Sequence, residues 1–279
     1  MADEKRAHRI ARLTAEFCSN PGKLFTLSSF SEMFGAARST LSEDISVIKE
    51  VFDGRDFGRI ETLPGAAGGA RLVPKVNPRA VQQMLAELCK ELASPSRVLP
   101  GQFIYMSDIV FSPSWCHKLG AIFAAVFFDA APGCVMTVET KGIPLALTTA
   151  WLLGLPLVVS RREGRASEGS SVNINYMSGS SRTIQTMSLP RRALQPGTRV
   201  LVIDDFLKGG GTVRGMMELC AEFGAQIVGA GVLVETEEPK SKLVQDYVSL
   251  LKFSGIDEQA QTSRIAVSDK LLARMQRMV

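Results

Sequence analysis

Histidine is scarce in this sequence, and cysteine has no ordered spacing. Only His8 and His117 occur among 279 residues, which leaves little material for a histidine-based catalytic triad or a histidine metal site. The five cysteines lie far apart without a Cys-x-x-Cys pair, which argues against disulfides and zinc and favours reduced, mostly buried thiols. Hydrolase chemistry is therefore disfavoured, and we expect no metal site.

Long hydrophobic runs are also missing. No apolar stretch approaches the roughly 18 residues that a membrane helix needs. The first residues, MADEKRAHRIAR, are too charged for a secretory signal, so we expect a cytoplasmic protein. Hydrophobic residues make up 46% of the chain and charged residues 22%, which is ordinary for a globular protein with a core. The length predicts two structural units.

Positive charge is not concentrated at the start of the chain. The net charge is +4, and residues 1–75 hold eleven Lys and Arg against ten Asp and Glu. Bulk charge therefore does not by itself indicate DNA binding.

What the first 75 residues do contain is a pattern of three short helices followed by a β-hairpin. Apolar periodicity and glycine or proline stops predict a helix ending at 19–22, helices over 27–35 and 37–52, and a hairpin over 58–74. This is the element order of a winged helix-turn-helix, a DNA-binding fold whose third helix enters the major groove.

The third predicted helix supplies the candidate DNA contacts. Thr40 and Glu43 have the spacing of a capping box, which marks a helix start. The leading residues can approach phosphates and base edges closely, and they are Arg38, Ser39, Thr40 and Ser42. The alternative is a small helical cap with a solvated face.

A second unit is predicted over residues 76–279, after a boundary near residue 75. It begins with a linking helix over 78–95 and a strand over 101–109. Strands and helices then alternate, with strands predicted over 134–138, 156–162, 183–189, 199–205 and 226–235 and helices near 114–129, 144–153 and 212–223. Continuous apolar strands that alternate with helices predict a parallel sheet covered on both faces.

One stretch of this unit carries the clearest chemistry, VLVIDDFLKGGGT at 200–212. Its strand would deliver Asp204 and Asp205 to the sheet edge where ligands bind. The glycines at 209–211 would let backbone N–H groups surround an anion, and Thr212 begins a helix whose positive end faces the same point. Carboxylates suit sugar hydroxyls or a bridging metal, so a ribose 5-phosphate would satisfy both halves of the motif.

The stretch has neither the Walker pattern nor the dinucleotide-binding glycine pattern. It resembles the type I phosphoribosyltransferase family, in which two acids hold the ribose hydroxyls of phosphoribosyl pyrophosphate and a loop holds its 5-phosphate. The resemblance implies that the acids are Asp204 and Asp205 and that the loop residues are Lys208, Gly209, Gly210, Gly211 and Thr212. The alternative is an ordinary strand, turn and helix.

A second loop fits the same family. Thr140, Lys141 and Gly142 follow a predicted strand and precede a helix, where the family has its pyrophosphate-binding loop. The resemblance implies that Lys141 meets the diphosphate, although a lone lysine is more often a solvated loop residue. The long polar segment 162–183 occupies the place of the family's flexible hood. The candidates to approach the ligand, within this segment or just before it, are Arg161, Arg162 or Tyr176.

Over its full length the sequence resembles the purine operon repressor family of Gram-positive bacteria. The resemblance rests on STLSEDI (39–45), LPGAAGG (63–69), MTVETKGIPLA (136–146), SGSSRTIQTMSL (178–189) and IDDFLKGGGT (203–212). It implies a dimer that binds operator DNA, senses phosphoribosyl pyrophosphate and has no transferase activity. Most members repress and some relatives activate.

The resemblance also implies that a guanosine alarmone can occupy the same pocket, with Tyr105 and Phe206 stacking on or lining the ligand. No cofactor is expected, although the effector can carry Mg²⁺. Lys208 stands where some purine-salvage relatives have an aspartate, and Gly209 stands where the family generally has Thr or Ser, which favours sensing over catalysis. The alternatives are an active purine phosphoribosyltransferase with an accessory helical domain and a purely structural or protein-interaction module.

Overall fold

The computed structural model describes residues 5–53, 58–65, 68–101, 103–163, 169–177, 183–257, 259–260 and 262–277. We call residues 5–73 the N-terminal unit. Its elements are α1 (Arg6–Ser19), β1 (Phe25–Thr26), α2 (Leu27–Phe34), α3 (Arg38–Asp53), β2 (Arg59–Leu63) and β3 (Gly69–Val73). The strands pair antiparallel in the order β1-β3-β2. Three helices and this small sheet form the predicted winged helix-turn-helix; residues 66–67 of the predicted hairpin lie outside the described residues.

Phenylalanine rings form the centre of the N-terminal unit. The rings of Phe25 and Phe30 stack with centroids 4.8 Å apart, and Phe17 meets them edge-on at 5.9 and 5.5 Å. Offset stacked and edge-to-face pairs are the favourable geometries for aromatic rings. Helix α2 ends, as predicted, at Gly35, which adopts the left-handed conformation with φ of 64°. This unit therefore has a core of its own.

The start of α3 differs from the sequence prediction. The Ala37 carbonyl accepts the first helical hydrogen bond from the Leu41 N–H at 3.0 Å, so α3 begins at Arg38. Thr40 consequently lies inside the first turn, and the capping position predicted from its spacing to Glu43 is wrong. The helix begins at the carbonyl of Ala37, and an alanine side chain does not mark a helix start in the sequence.

A six-stranded sheet forms the centre of the C-terminal unit, residues 78–277. Its strands are β6 (Cys134–Val138), β7 (Leu157–Ser160), β10 (Arg199–Leu207), β11 (Gln226–Thr236), β12 (Val248–Asp257) and β13 (Thr262–Val267). The order is β13-β12-β11-β10-β6-β7, parallel except for the antiparallel edge strand β13. Every side chain of β6 is buried, as expected for a strand covered on both faces.

Helices cover the two faces of this sheet. One face packs on α4 (Pro78–Leu92), α6 (Pro113–Phe127), α7 (Ile143–Leu153) and α9 (Asp269–Gln276), and the other packs on α8 (Gly211–Glu222) and a two-stranded hairpin. None of the helices among the described residues is both long and apolar enough to cross a membrane. Sequence periodicity predicted most of these elements but named none after residue 235.

The predicted strand over 101–109 is right only in part. Among the described residues of this stretch, a short strand, β5 (Phe103–Ile104), pairs with β4 (Val98–Leu99), and a helical turn, α5 (Ser107–Val110), follows. The Met106 carbonyl accepts from the N–H groups of Ile109 and Val110, at 3.0 Å each. The side chains of Ile109 and Val110 are buried. Burying both residues of this turn stabilises a helix where the local sequence resembles a strand.

The hairpin on the second face corrects another prediction. Segment 162–183 is predicted as a long loop, yet it contains β8 (Ser171–Met177), which pairs antiparallel with β9 (Ile184–Pro190). Residues 164–168 and 178–182 of that segment lie outside the described residues. Val172, Ile174 and Tyr176 alternate along β8 and pack on the core of the second face. The predicted strand at 183–189 therefore exists, but it belongs to this hairpin and not to the parallel sheet.

The two units touch through their backbones. Gly22 and Gly154 face each other so closely that a Cβ on Gly154 would lie 2.8 Å from the Pro21 carbonyl oxygen. The Arg71 guanidinium also lies 5.2 Å from the centre of the Phe128 ring, a cation–π contact. The loop that follows α1 thus rests on the C-terminal end of α7. The boundary predicted near residue 75 stays a prediction.

Candidate functional site

A cavity of about 490 Å³ opens at the carboxyl ends of the neighbouring strands β6 and β10. Ligands bind at this edge of open parallel sheets, because the loops leading into helices converge there. The residues that line the cavity are Val138, Glu139, Thr140, Lys141, Arg162, Tyr176, Gln185, Asp204, Asp205, Phe206, Leu207, Lys208, Gly209, Gly210, Gly211, Thr212 and Val213.

Two adjacent carboxylates lie near the carboxyl end of β10, which runs to Leu207. Asp204 is 4% exposed, and its Oδ1 accepts a hydrogen bond from the Asp205 N–H at 3.0 Å. Burial, and next the neighbouring Asp205 carboxylate, raise the pKa of Asp204 well above its ordinary value. Burial also raises the pKa of Asp205, while Lys141 opposes that rise. Within the described ranges no group of three His, Cys, Asp or Glu side chains is placed to hold a metal ion.

The glycine loop follows these acids and leads into α8. Gly210 adopts a left-handed conformation with φ of 84°, and α8 begins at Gly211. A helix start presents unpaired N–H groups and the positive end of the helix dipole, both of which attract an anion. Lys208 is exposed at the rim and Thr212 is half-buried. The loop can therefore hold a phosphate through main-chain amides, a hydroxyl and the dipole.

The loop after β6 is held against the acid pair by close packing at Gly142. A Cβ at this position would lie 2.6 Å from the Thr137 Oγ1 and 2.8 Å from the Asp204 Oδ1, so only glycine fits. Thr140 and Lys141 are exposed beside it. Glu139 accepts a hydrogen bond from the Arg162 N–H at 3.1 Å. The two predicted ligand loops thus meet in one cavity.

The hairpin β8–β9 closes a third side. Tyr176 is buried, and its hydroxyl donates to the Gln185 Oε1 at 2.9 Å. Its ring lies over Gly215 of α8, where a Cβ would be 2.9 Å from the ring Cγ. Arg162 also lines the cavity, whereas the Arg161 guanidinium lies 3.6 Å from the Glu139 carboxylate. The hood candidates Arg162 and Tyr176 therefore face the cavity.

Most of the predicted effector residues come together here, and one does not. Gly142 is buried beneath the cavity wall. Tyr105 is 44% exposed next to β5, with its N–H bonded to the Arg97 carbonyl, and it is not among the described residues that line the cavity. Its predicted contact with the ligand has no support in this position. Effector binding by the other residues stays a prediction.

Sequence reasoning missed several lining residues. Val138 is the last residue of β6, Glu139 follows it, and Val213 belongs to the first turn of α8, so each is adjacent in sequence to a predicted motif. Gln185 had no local signal, because only the antiparallel pairing of β8 with β9 brings it to the cavity.

The candidate DNA contacts occupy the first turns of α3. Arg38, Ser39 and Ser42 are exposed there, and Thr40 is half-buried. Their side chains are thus free of the phenylalanine core, but their contact with DNA stays a prediction.

Both units match known families. Residues 5–74 match the model described as the N-terminal domain of the bacterial purine repressor, and residues 116–266 match the phosphoribosyl transferase domain. The structure is similar to that of adenine phosphoribosyltransferase from Thermoanaerobacter pseudethanolicus, with a TM-score of 0.53 and 20% identity over 60% of this chain and 99% of that one. That similarity shows the fold alone. The fold and the site define a repressor domain joined to a phosphoribosyltransferase-like domain.

Two relatives share this arrangement over nearly their whole length. The purine biosynthesis transcriptional repressor PurR of Bacillus subtilis is 44% identical, over 94% of this chain and 92% of its own. The purine biosynthesis transcriptional activator PurR of Lactococcus lactis is 39% identical, over 91% of this chain and 93% of its own. The chain belongs to the PurR family of purine biosynthesis transcriptional regulators. Membership in this family implies DNA binding.

Proposed function

We propose that this protein binds operator DNA of purine genes as a homodimer, represses them, and senses phosphoribosyl pyrophosphate through a site that does not catalyse transfer. The observation that carries the proposal is that the Asp204–Asp205 pair and the N-terminus of α8 open on the same cavity. A sugar phosphate needs both features within a few ångströms of each other.

Each part of the effector has a matching surface. The paired carboxylates accept hydrogen bonds from the ribose hydroxyls, and the amides of residues 209–212 surround the 5-phosphate. Lys141 and Arg162, which also line the cavity, supply positive charge for the diphosphate. A guanosine alarmone carries the same ribose and diphosphate groups, so it competes for the site. Phe206, 37% exposed at the rim, is the candidate to contact a base.

The absence of catalysis is proposed from the phosphate loop. Lys208 occupies a position where some purine-salvage relatives have an aspartate, and a cation there cannot accept a proton from an incoming purine. Gly209 also lacks the hydroxyl that the family generally has. The second candidate function is an active phosphoribosyltransferase, which the match of residues 116–266 to the phosphoribosyl transferase domain favours.

Effector binding is proposed to change the affinity for DNA. A ligand can shift an equilibrium between two conformations only through its different affinities for them. The contact between Gly22 and Gly154 joins the DNA-binding unit to α7, whose first residue follows the loop at 139–142. A bound anion near the DNA-facing surface would in addition oppose phosphate contacts.

Calorimetry and gel shifts test the effector site together. Phosphoribosyl pyrophosphate, with and without Mg²⁺, should bind the wild-type protein and alter its affinity for purine-promoter DNA. The double variant Asp204→Ala/Asp205→Ala should lose both responses and keep DNA binding, while the exposed control Glu222→Ala should behave as wild type. Retained effector response in the double variant removes the acid pair from the site, and pyrophosphate release with any purine establishes the transferase instead.

The proposed DNA-binding surface is tested by removing the charge of Arg38 and measuring the affinity for operator DNA. Arg38→Ala should weaken operator binding and lower the salt dependence of log K by about one, the change for one lost phosphate contact. Lys90→Ala on the exposed side of α4 removes the same charge away from α3 and serves as the control. Equal affinities of the Arg38 variant and wild type across several salt concentrations count against α3 as the recognition helix.

A further inference from the structure

A segment that follows β11 supports the glycine loop. After β11 the chain turns back, and the Leu243 N–H donates to the Gly209 carbonyl oxygen at 2.9 Å. The Lys242 Nζ donates to the preceding carbonyl, that of Lys208, at 2.6 Å. Two consecutive carbonyls of the loop are therefore held by residues 242 and 243.

The Lys242 ammonium is fixed in place by three acceptors. Besides the Lys208 carbonyl, it donates to the Thr236 carbonyl oxygen at 2.8 Å and to the Thr236 Oγ1 at 3.1 Å. An ammonium has three N–H donors, so these contacts can use all of them. Thr236 Oγ1 donates its own proton to the Glu238 carbonyl at 2.6 Å, which leaves its lone pairs for the lysine. The side chain therefore acts as a rigid clamp on the loop.

This clamp determines which way the loop amides point. In a planar trans peptide the C=O and the next N–H point in opposite directions. Lys242 is not among the described residues that line the cavity, so with the Lys208 carbonyl directed at Lys242 the Gly209 N–H points the opposite way, to the cavity side. The Gly210 N–H is oriented in the same way by the bond from Leu243. Glycines have no side chains to fix a peptide orientation, and they tolerate most backbone angles, so the loop needs this external support.

We propose that Lys242 is a positioning residue of the effector site, which orients the Gly209 amide toward the bound phosphate without touching the ligand. This role rests on the proposed function. Without the ammonium, the Lys208–Gly209 peptide can rotate, and a carbonyl oxygen would then face the phosphate and repel it. Leu243 acts through its backbone, so its contribution persists in side-chain variants.

The test compares three substitutions in the full chain. Lys242→Met removes the donors, and phosphoribosyl pyrophosphate should bind about tenfold to a hundredfold more weakly in calorimetry, the loss of one hydrogen bond to a charged group. Lys242→Arg keeps charged donors and should recover most of the affinity. The control is Lys240→Met, which changes an exposed lysine two residues away and should bind like wild type.

Amide NMR supplies a readout that a general loss of stability would not move. On addition of the effector, the Gly209 and Gly210 amide protons of the wild type should both shift downfield, as expected for N–H groups that bond a phosphate. In Lys242→Met the Gly209 shift should be lost, while Gly210, still held by Leu243, should keep its own. Lys242→Gln is measured alongside, so that a folding defect in one variant does not decide the outcome.

The outcomes separate the two proposals. Equal effector affinity of wild type and Lys242→Met, or a retained Gly209 shift in that variant, overturns the positioning role alone. Absence of binding by the wild type overturns the sensor function and this role with it.

Discussion

Each half of the molecule buries an aspartate, and the two carboxylates have opposite surroundings. Asp44 of α3 is fully buried, and its oxygens accept hydrogen bonds from the Nε of Arg9 at 2.6 Å and of Arg6 at 3.1 Å. Asp204 is also buried, with 4% exposed, but the charge that acts on it is another carboxylate, Asp205. A buried charge is costly unless it is paired. The paired aspartate therefore belongs to the fold, and the uncompensated one is a candidate residue of the proposed effector site.

The largest effect on stability should come from breaking the buried ion pair between Asp44 and Arg9. Asp44→Ala removes the carboxylate that pairs with the buried Arg9 guanidinium, and removing one member of a buried ion pair costs about 3–5 kcal/mol. We expect that loss in the free energy of unfolding in urea, followed by circular dichroism, with loss of DNA binding. Glu43→Ala removes an exposed carboxylate from the same helix and should change little. Equal stabilities of the two variants would show that the buried Asp44 carboxylate does not stabilise the fold.

The matching change in the other half should affect binding instead of folding. Asp204→Asn keeps the side-chain shape and removes a buried charge, so the melting temperature should stay the same or rise. Effector affinity should fall about tenfold to a hundredfold, because hydrogen bonds to a charged group contribute about 1.5–3 kcal/mol. Calorimetry and thermal melts measure the two quantities, with the exposed Asp246→Asn as the control. A destabilised variant with normal affinity would make Asp204 a structural residue.

The fold could be predicted from the sequence where an element has a local signal, and not where it depends on distant contacts. Strands β6 and β10 were found because their residues are continuously apolar, and α2 because Gly35 stops it. The turn at Ser107–Val110 was missed, since it depends on burial against distant residues and not on local periodicity. Strand β8 was hidden in a polar segment because one of its two faces is exposed. Local pattern thus predicts strands that are buried on both faces and helices that have a clear stop signal.

In the candidate site, too, the residues of local motifs were predicted and those brought in by the fold were not. Asp204, Asp205 and the glycine loop were predicted because their neighbours in sequence are also their neighbours in space. Gln185 and Lys242 reach the site or its loop from other elements, and no local motif marks them. Asp44 was not singled out at all, since an acid on an amphipathic helix is usually solvated. Its two arginine partners lie 38 and 35 residues away.

The contribution of the contact between the two units to stability can be measured. Gly154 has φ of 68°, and an added Cβ would lie 2.8 Å from the Pro21 carbonyl oxygen. Gly154→Ala should lower the free energy of unfolding by about 1–2 kcal/mol, the cost of a non-glycine residue in the left-handed conformation. The close contact with Pro21 should lower it further. Gly197 is the matched control, because it has φ of 78° and nothing within 4 Å of its Cβ position. Equal losses of unfolding free energy in Gly154→Ala and Gly197→Ala would show that this contact contributes nothing.

The titration of Asp204 sharpens the comparison further. The unfolded group titrates near pH 4, whereas burial, and next Asp205, raise its folded pKa. As the pH rises above about 4, the unfolded chain releases this proton first, so the wild type loses stability until the pH passes the folded pKa.

Asp204→Asn has no such loss, and its advantage in melting temperature over the wild type should grow with pH across that window. Effector affinity of the wild type should rise over the same range, because the ionised pair accepts the ribose hydroxyls; the two acids titrate together, so the midpoint belongs to the pair. Melts and calorimetry from pH 4 to 8 follow both quantities. A pH-independent difference between variant and wild type would mean that folding does not raise the pKa of Asp204.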